Sequence, residues 1–235
     1  MEKVVRFYRS TIGKKFVVAI TGLLLIAFVV GHVVGNLKVF LGYDASGVHH
    51  LDMYGHFLRT FLEEAFGPSG FLWLVRIGLI ATVALHIGTV LQLRMLNAKA
   101  KPQGYRGEAT PSSSLAARTM MVGGIILLAF IVFHILHLTT GDLHPHFVEG
   151  KVYANVYHAF QVPWVTGFYV IAMVFLGFHL YHGIWSLCQT LGVDNPDLNL
   201  TIRTIAKVGS VLVVAGFISV PLAVAFGALP VPHVG

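Results

Sequence analysis

Residues Trp164–Leu187 read WVTGFYVIAMVFLGFHLYHGIWSL, and no charged side chain interrupts them. A buried helix of a soluble protein is rarely apolar all round over such a length. About 20 apolar residues are what an α-helix needs to cross the hydrocarbon core of a bilayer. Lipid offers the backbone no water, so a helix that bonds its own amides is the conformation such a run adopts there. The stretch predicts a transmembrane helix. It also poses a chemical question, because His179 and His182 lie inside it.

Four further segments read the same way: Phe16–Leu37, Phe71–Leu93, Thr119–Leu138 and Val208–Phe226. The 235-residue chain is 56% hydrophobic and 11% charged, against roughly 25% charged in a soluble domain. The fold expected is an all-α membrane protein. Its five transmembrane helices form one bundle, and residues 1–235 make a single transmembrane domain. The first segment has a basic start at Lys3, Arg6, Arg9, Lys14 and Lys15. Its apolar run exceeds a signal-peptide core and no small-residue cleavage site follows, so it is expected to be retained.

Lys and Arg fall unevenly between the two sides. One side holds the N-terminal five together with Arg94, Lys99, Lys101, Arg106, Arg118, Arg203 and Lys207; the other holds Lys38, Arg59, Arg76 and Lys151. The positive-inside rule makes the first side cytoplasmic, with the N-terminus inside and the C-terminus outside. The formal charge of +6 is then mostly topology, with no nucleic-acid partner implied. On the outer side, LDMYGHFLRTFLEEAF spaces Leu51, Tyr54, Leu58, Phe61, Leu62 and Ala65 as an amphipathic helix over 51–66 would. The inner loop NAKAKPQGYRGEATPSSS is polar and punctuated by Pro102, Gly104, Gly107 and Pro111, as a flexible connection or docking surface is.

Cys188 is the one cysteine. It excludes an internal disulfide and an iron–sulfur cluster held by this chain alone, and there is no C-x-x-C-H for covalent haem. Thirteen histidines remain. Seven of them, His49, His50, His56, His144, His146, His158 and His233, fall in expected loops or at a terminus, and most of these are expected to be solvated. Six lie within spans: His32, His86, His134, His137, His179 and His182. Ionisable residues there are costly and mark function.

The spans contain no Asp or Glu. Ion-coupled transporters place carboxylates in the membrane, and divalent-metal sites favour mixed imidazole and carboxylate donors. Imidazoles alone suit haem b, which needs two axial nitrogens and a dry slot. Glycines beside the histidines (Gly31, Gly35, Gly88, Gly177, Gly183) would let a porphyrin approach the backbone, although Gly31–Gly35 equally fits a small-residue helix contact. At 1.5 Å per residue, His32 lies roughly 25 Å past Lys15, and His134 roughly 24 Å past Arg118. His86 lies roughly 12 Å before Arg94, and His179 roughly 15 Å before Gln189. Two layers of paired histidines follow, as two stacked haems require. Depth does not separate His134 from His137, or His179 from His182.

The runs STIGKKFVVAITGLLL, GHVVGNLKVFLG, GGIILLAFIVFH and GFHLYHGIWSL, together with His86, carry a resemblance over nearly the whole chain. The sequence resembles the single-chain, five-helix, di-haem cytochrome b subunit of succinate dehydrogenase/fumarate reductase. The resemblance implies haem iron ligands at His32, His86, His134 and His179. His32 pairs with His134 for the outer haem, and His86 with His179 for the inner. His137 and His182 are then neighbours of the ligands. It also implies a flavoprotein subunit with FAD and an iron–sulfur subunit as partners, and a quinone, menaquinone in many di-haem members, as acceptor. The location implied is a bacterial cytoplasmic membrane, multi-pass and surrounded by lipid. Some members carry an acidic residue near the fourth-span ligand; Phe175, Leu176, Gly177 and Phe178 stand there here.

Glu63, Glu64 and Trp164 are the candidates for an outer quinone pocket. The resemblance assigns dehydrogenation to the partner subunits, so this chain supplies no catalytic residue for it. Two other readings share part of the pattern. A cytochrome b subunit of a formate dehydrogenase or hydrogenase has bis-histidine haems but not these motifs. A histidine-rich metal transporter would hold no haem.

Overall fold

The computed structural model describes residues 2–100 and 115–233; most of the expected inner loop, with Lys101, Pro102, Gly104, Arg106, Gly107 and Pro111, lies outside them. Among the described residues the chain is helical without strands. Five helices are long and apolar enough to cross a membrane: α2 (Thr11–Asn36, prolonged by a 3-10 turn to Leu41), α5 (Gly70–Ala100), α6 (Leu115–His134, prolonged by a π turn, Ile135–Thr139), α8 (Pro163–Thr190) and α9 (Asn199–Ala225). Most extend beyond the apolar runs of the sequence. Helical hydrogen bonding continues through the polar residues at their ends, where hydropathy has already fallen.

Their outward faces are apolar. Ile77 and Ile80 on α5, Ile171 on α8 and Leu212 on α9 all stand more than half exposed. A soluble protein would bury such residues, whereas a bilayer is their natural solvent. α5 packs along α2, α6 along α8, and α9 along α8 and α2, while α2 and α8 meet at the centre. α5 therefore leans on α2 rather than on α6 or α8, and the histidines of α5 and α8 face one another across an interval.

A short α1 (Glu2–Arg9) crosses the start of α2. Ser10, in an extended conformation, caps α2 by accepting from the Gly13 amide at 2.9 Å. A Cβ at Gly13 would stand 2.0 Å from the Phe7 carbonyl oxygen, so the crossing requires glycine. Lys14 folds back, buried, and donates to the Tyr8 and Arg9 carbonyls at 3.0 and 3.3 Å. These are the orphan acceptors at the end of α1. Tyr8 donates to Gln92 on α5 at 3.2 Å, and Arg203 of α9 lies 4.1 Å over the Trp185 ring of α8. One end of the bundle thus gathers most of the described basic residues.

At the opposite end, 51–66 forms two helices rather than one. α3 (His50–Thr60) stops, Leu62 takes a left-handed φ of 54°, and α4 (Glu63–Phe66) follows. Leu51 and Gly55 are buried, while Phe61, Leu62 and Ala65 are exposed. α7 (Val152–Phe160) lies against α3, tied by Asp52, which accepts from the Tyr153 amide at 2.8 Å. The densest core is at this end, where Val39, Leu51, Phe130, Tyr153, Phe160, Tyr169, Met173 and Val220 pack together.

Candidate functional site: two layers of opposed histidines

His32 on α2 and His134 on α6 stand with ring centroids 5.8 Å apart and planes at 79°. His86 on α5 and His179 on α8 stand 6.5 Å apart at 58°. An imidazole nitrogen binds a metal at about 2 Å and the ring centre lies roughly 1 Å beyond, so two axial ligands on one metal stand roughly 6 Å apart. Both intervals are of that size. Among the described residues, no three of His, Cys, Asp and Glu gather as a metal-binding group. The donors come in twos, short of a three- or four-ligand protein site and equal to the number of protein nitrogens that haem b takes.

Ring orientation is set by neighbours. Thr21 donates its one hydroxyl proton to the Val17 carbonyl at 2.7 Å, so its oxygen accepts from His86 Nδ1–H at 3.0 Å. That leaves Nε2 of His86 bare, the tautomer a metal takes. His32 stacks on Phe28 at 5.4 Å and meets Phe217 at 5.7 Å. His134 stacks on Phe130 at 5.7 Å, and its Nδ1 lies 3.3 Å from the Tyr169 hydroxyl. His179 has a buried Nδ1 with no hydrogen-bond partner. Met120, Gly123, Phe175 and Phe178 line a shallow notch beside it, too tight for a water molecule.

The second histidine of each pair has other ring neighbours. His182 packs edge-on against Trp185 at 6.2 Å, with its own Nδ1 buried and unpartnered. His137, 3% exposed, stacks on Phe133 and His144 at 5.0 Å each. Gly31, Gly88 and Gly183 have open space where a Cβ would project. Gly35 and Gly177 do not: a Cβ there would meet Tyr54 at 2.7 Å and Val214 at 2.9 Å, so these two are helix-contact glycines.

The outer candidates sit on separate elements. Glu63 and Glu64 are exposed on α4, which packs on α5. Trp164 is 65% exposed at the start of α8, edge-on to Phe133 at 5.9 Å. Two loop histidines expected to be solvated are buried. His49 stacks on Tyr153 at 3.6 Å, and His144 donates from Nε2 to the Asn155 carbonyl at 2.9 Å. Burial lowers the His49 pKa below its ordinary value. On the surface of α7, partial burial and the neighbouring His146 lower that of His158.

The structure adds Thr21 and Tyr169 to the site. Neither is singled out by the sequence reading, although each is a polar side chain inside an apolar span, which is itself the signal. Comparisons with protein-family models, curated proteins and solved structures return no match.

Proposed function

We propose that the chain is the membrane anchor and electron-transfer subunit of a succinate:quinone oxidoreductase. It holds two b haems in a multi-pass position in a bacterial cytoplasmic membrane. One observation carries the cofactor assignment: two pairs of histidines, from four different helices, oppose each other at two depths with spacings of 5.8 and 6.5 Å. The resemblance of the sequence motifs supports the choice of complex. The flavoprotein and iron–sulfur subunits would dock at the basic end, and a quinone, menaquinone in this reading, would be the acceptor.

His32 and His134 would hold one haem, and His86 and His179 the other. When bound, a bis-imidazole haem takes up and releases single electrons. The chain's own residues do the rest. Thr21 accepts from His86 Nδ1–H, which leaves the lone pair of that ring on Nε2. Phe28, Phe130 and Phe217 wall the His32–His134 layer and keep water from it. The apolar exterior of α5 and α9 keeps the chain in lipid. Without Asp or Glu in the spans, no carboxylate is placed to carry protons between the layers.

The test is a pyridine haemochrome assay on the complex purified through this chain. About two haems per copy are expected, with a sharp reduced α band and with flavoprotein and iron–sulfur subunits retained. Zero or one haem per chain removes the two-layer reading. Two haems with a different dehydrogenase attached removes the assignment to succinate.

A further inference from the structure

The Tyr169 hydroxyl stands 3.3 Å from Nδ1 of His134 and 3.3 Å from Nδ1 of His137. Its position is not adjustable. The ring is 6% exposed and held edge-on between Phe130 at 5.0 Å and Phe160 at 4.9 Å. The π turn Ile135–Thr139 begins directly after His134 and carries His137. It is the last turn of α6, where π turns commonly close a helix C-terminus.

A phenol has one proton. Facing two imidazole nitrogens, it makes both hydrogen bonds with its single O–H by donating to one and accepting from the other. A histidine that binds iron through Nε2 keeps its proton on Nδ1 and must donate from there. The order is then settled: His134 Nδ1–H donates to Tyr169, and Tyr169 O–H donates to His137 Nδ1. The reverse order would place a proton on His134 Nε2 and forbid ligation.

We propose that Tyr169 is a positioning residue for the His32–His134 iron site, with His137 as the acceptor that orients it. This rests on the bis-imidazole haem reading. Donation by Tyr169 to His137 polarises the phenol oxygen and strengthens the bond it accepts from His134. The His134 imidazole becomes more electron-rich, which favours ferric over ferrous iron. His137 is in turn fixed by stacking on His144. His144 has both ring nitrogens engaged: Nδ1 accepts from the His146 amide at 3.1 Å, and Nε2 donates to Asn155. The series of contacts therefore runs from α7 to the iron site as an orienting support, and it ends at His144 without a free group to pass a proton on.

The experiment is a redox titration of the haems in the purified complex, with low-spin ferric EPR. Tyr169→Phe keeps the ring packing and removes only the hydroxyl. Two haems should remain, the His32–His134 haem should titrate at a higher potential, and one of the two EPR signals should move while the other stays. A His179→Ala background, which leaves that haem alone, allows the shift to be read without overlap. His137→Ala should shift the same haem upward by less, and the double variant no further than Tyr169→Phe, since the two act through one contact. Potentials and EPR signals unchanged in Tyr169→Phe, or both haems shifted equally, overturns the proposal and leaves the haem reading intact. A haem lost in His137→Ala but kept in His134→Ala overturns it by exchanging ligand and support. A wild-type complex without two haems overturns the reading beneath it.

Discussion

His86 and His179 face each other from α5 and α8, two helices that do not pack along one another, with ring centroids 6.5 Å apart. His182 is three residues on, so it lies 60° around the helix from His179 and about 4.5 Å along it. It meets Trp185 instead. His179→Ala should therefore remove one haem of two, whereas His182→Ala should keep both and at most move a potential. Haem counts on the two purified variants decide it; loss in His182→Ala with retention in His179→Ala exchanges their roles.

Thr21 reaches His86 from α2 and fixes its tautomer through a 3.0 Å contact. Thr21→Val preserves shape and removes the acceptor. Loss of such an outer partner costs about 10- to 100-fold in metal affinity at histidine sites. The His86–His179 haem should be lost more readily on washing or competition with apo-myoglobin, while the His32–His134 haem is retained. Equal retention of both haems would leave Thr21 with no part in ligation.

His49 gives the opposite end a pH dependence. Its Nδ1 accepts from the Leu51 amide at 3.1 Å, so it caps α3 only while that nitrogen is unprotonated. Burial depresses its pKa from 6.5. The unfolded chain takes up a proton as pH falls below 6.5, and the folded chain resists it. The stabilising contribution is thus full above that pH and declines as pH drops toward the depressed value. Thermal midpoints in detergent should fall between pH 7.5 and 5. His49→Asn, which caps without titrating, should reduce the slope; an unchanged slope assigns it to other groups.

The gathering of basic residues at one end predicts that this end is cytoplasmic. Cysteines placed at Ser112, which lies outside the described residues, and at Glu149 should react oppositely with an impermeant thiol reagent on intact cells. Position 149 should label and position 112 should not. The reverse pattern inverts the topology.

The five spans and the two depths of histidine are legible in the sequence because both rest on local quantities. Lack of charge over some twenty residues selects the spans, and a rise of 1.5 Å per residue converts position into depth. His32 and His134, then His86 and His179, fall at matching heights before any contact is known. Depth and periodicity leave open which histidine of a close pair faces across the bundle, and in the sequence the motif resemblance alone chooses His134 and His179. His179 and His182 share one broad face, and helical periodicity treats them alike; the placement of α5, which brings His86 against His179, separates them. The burial of His49 and His144, and the meeting of Thr21 with His86 and of Tyr169 with His134 and His137, likewise join residues far apart in the chain. Side chains 32 to 65 positions apart have no common local signal, so tertiary packing alone decided which of them touch.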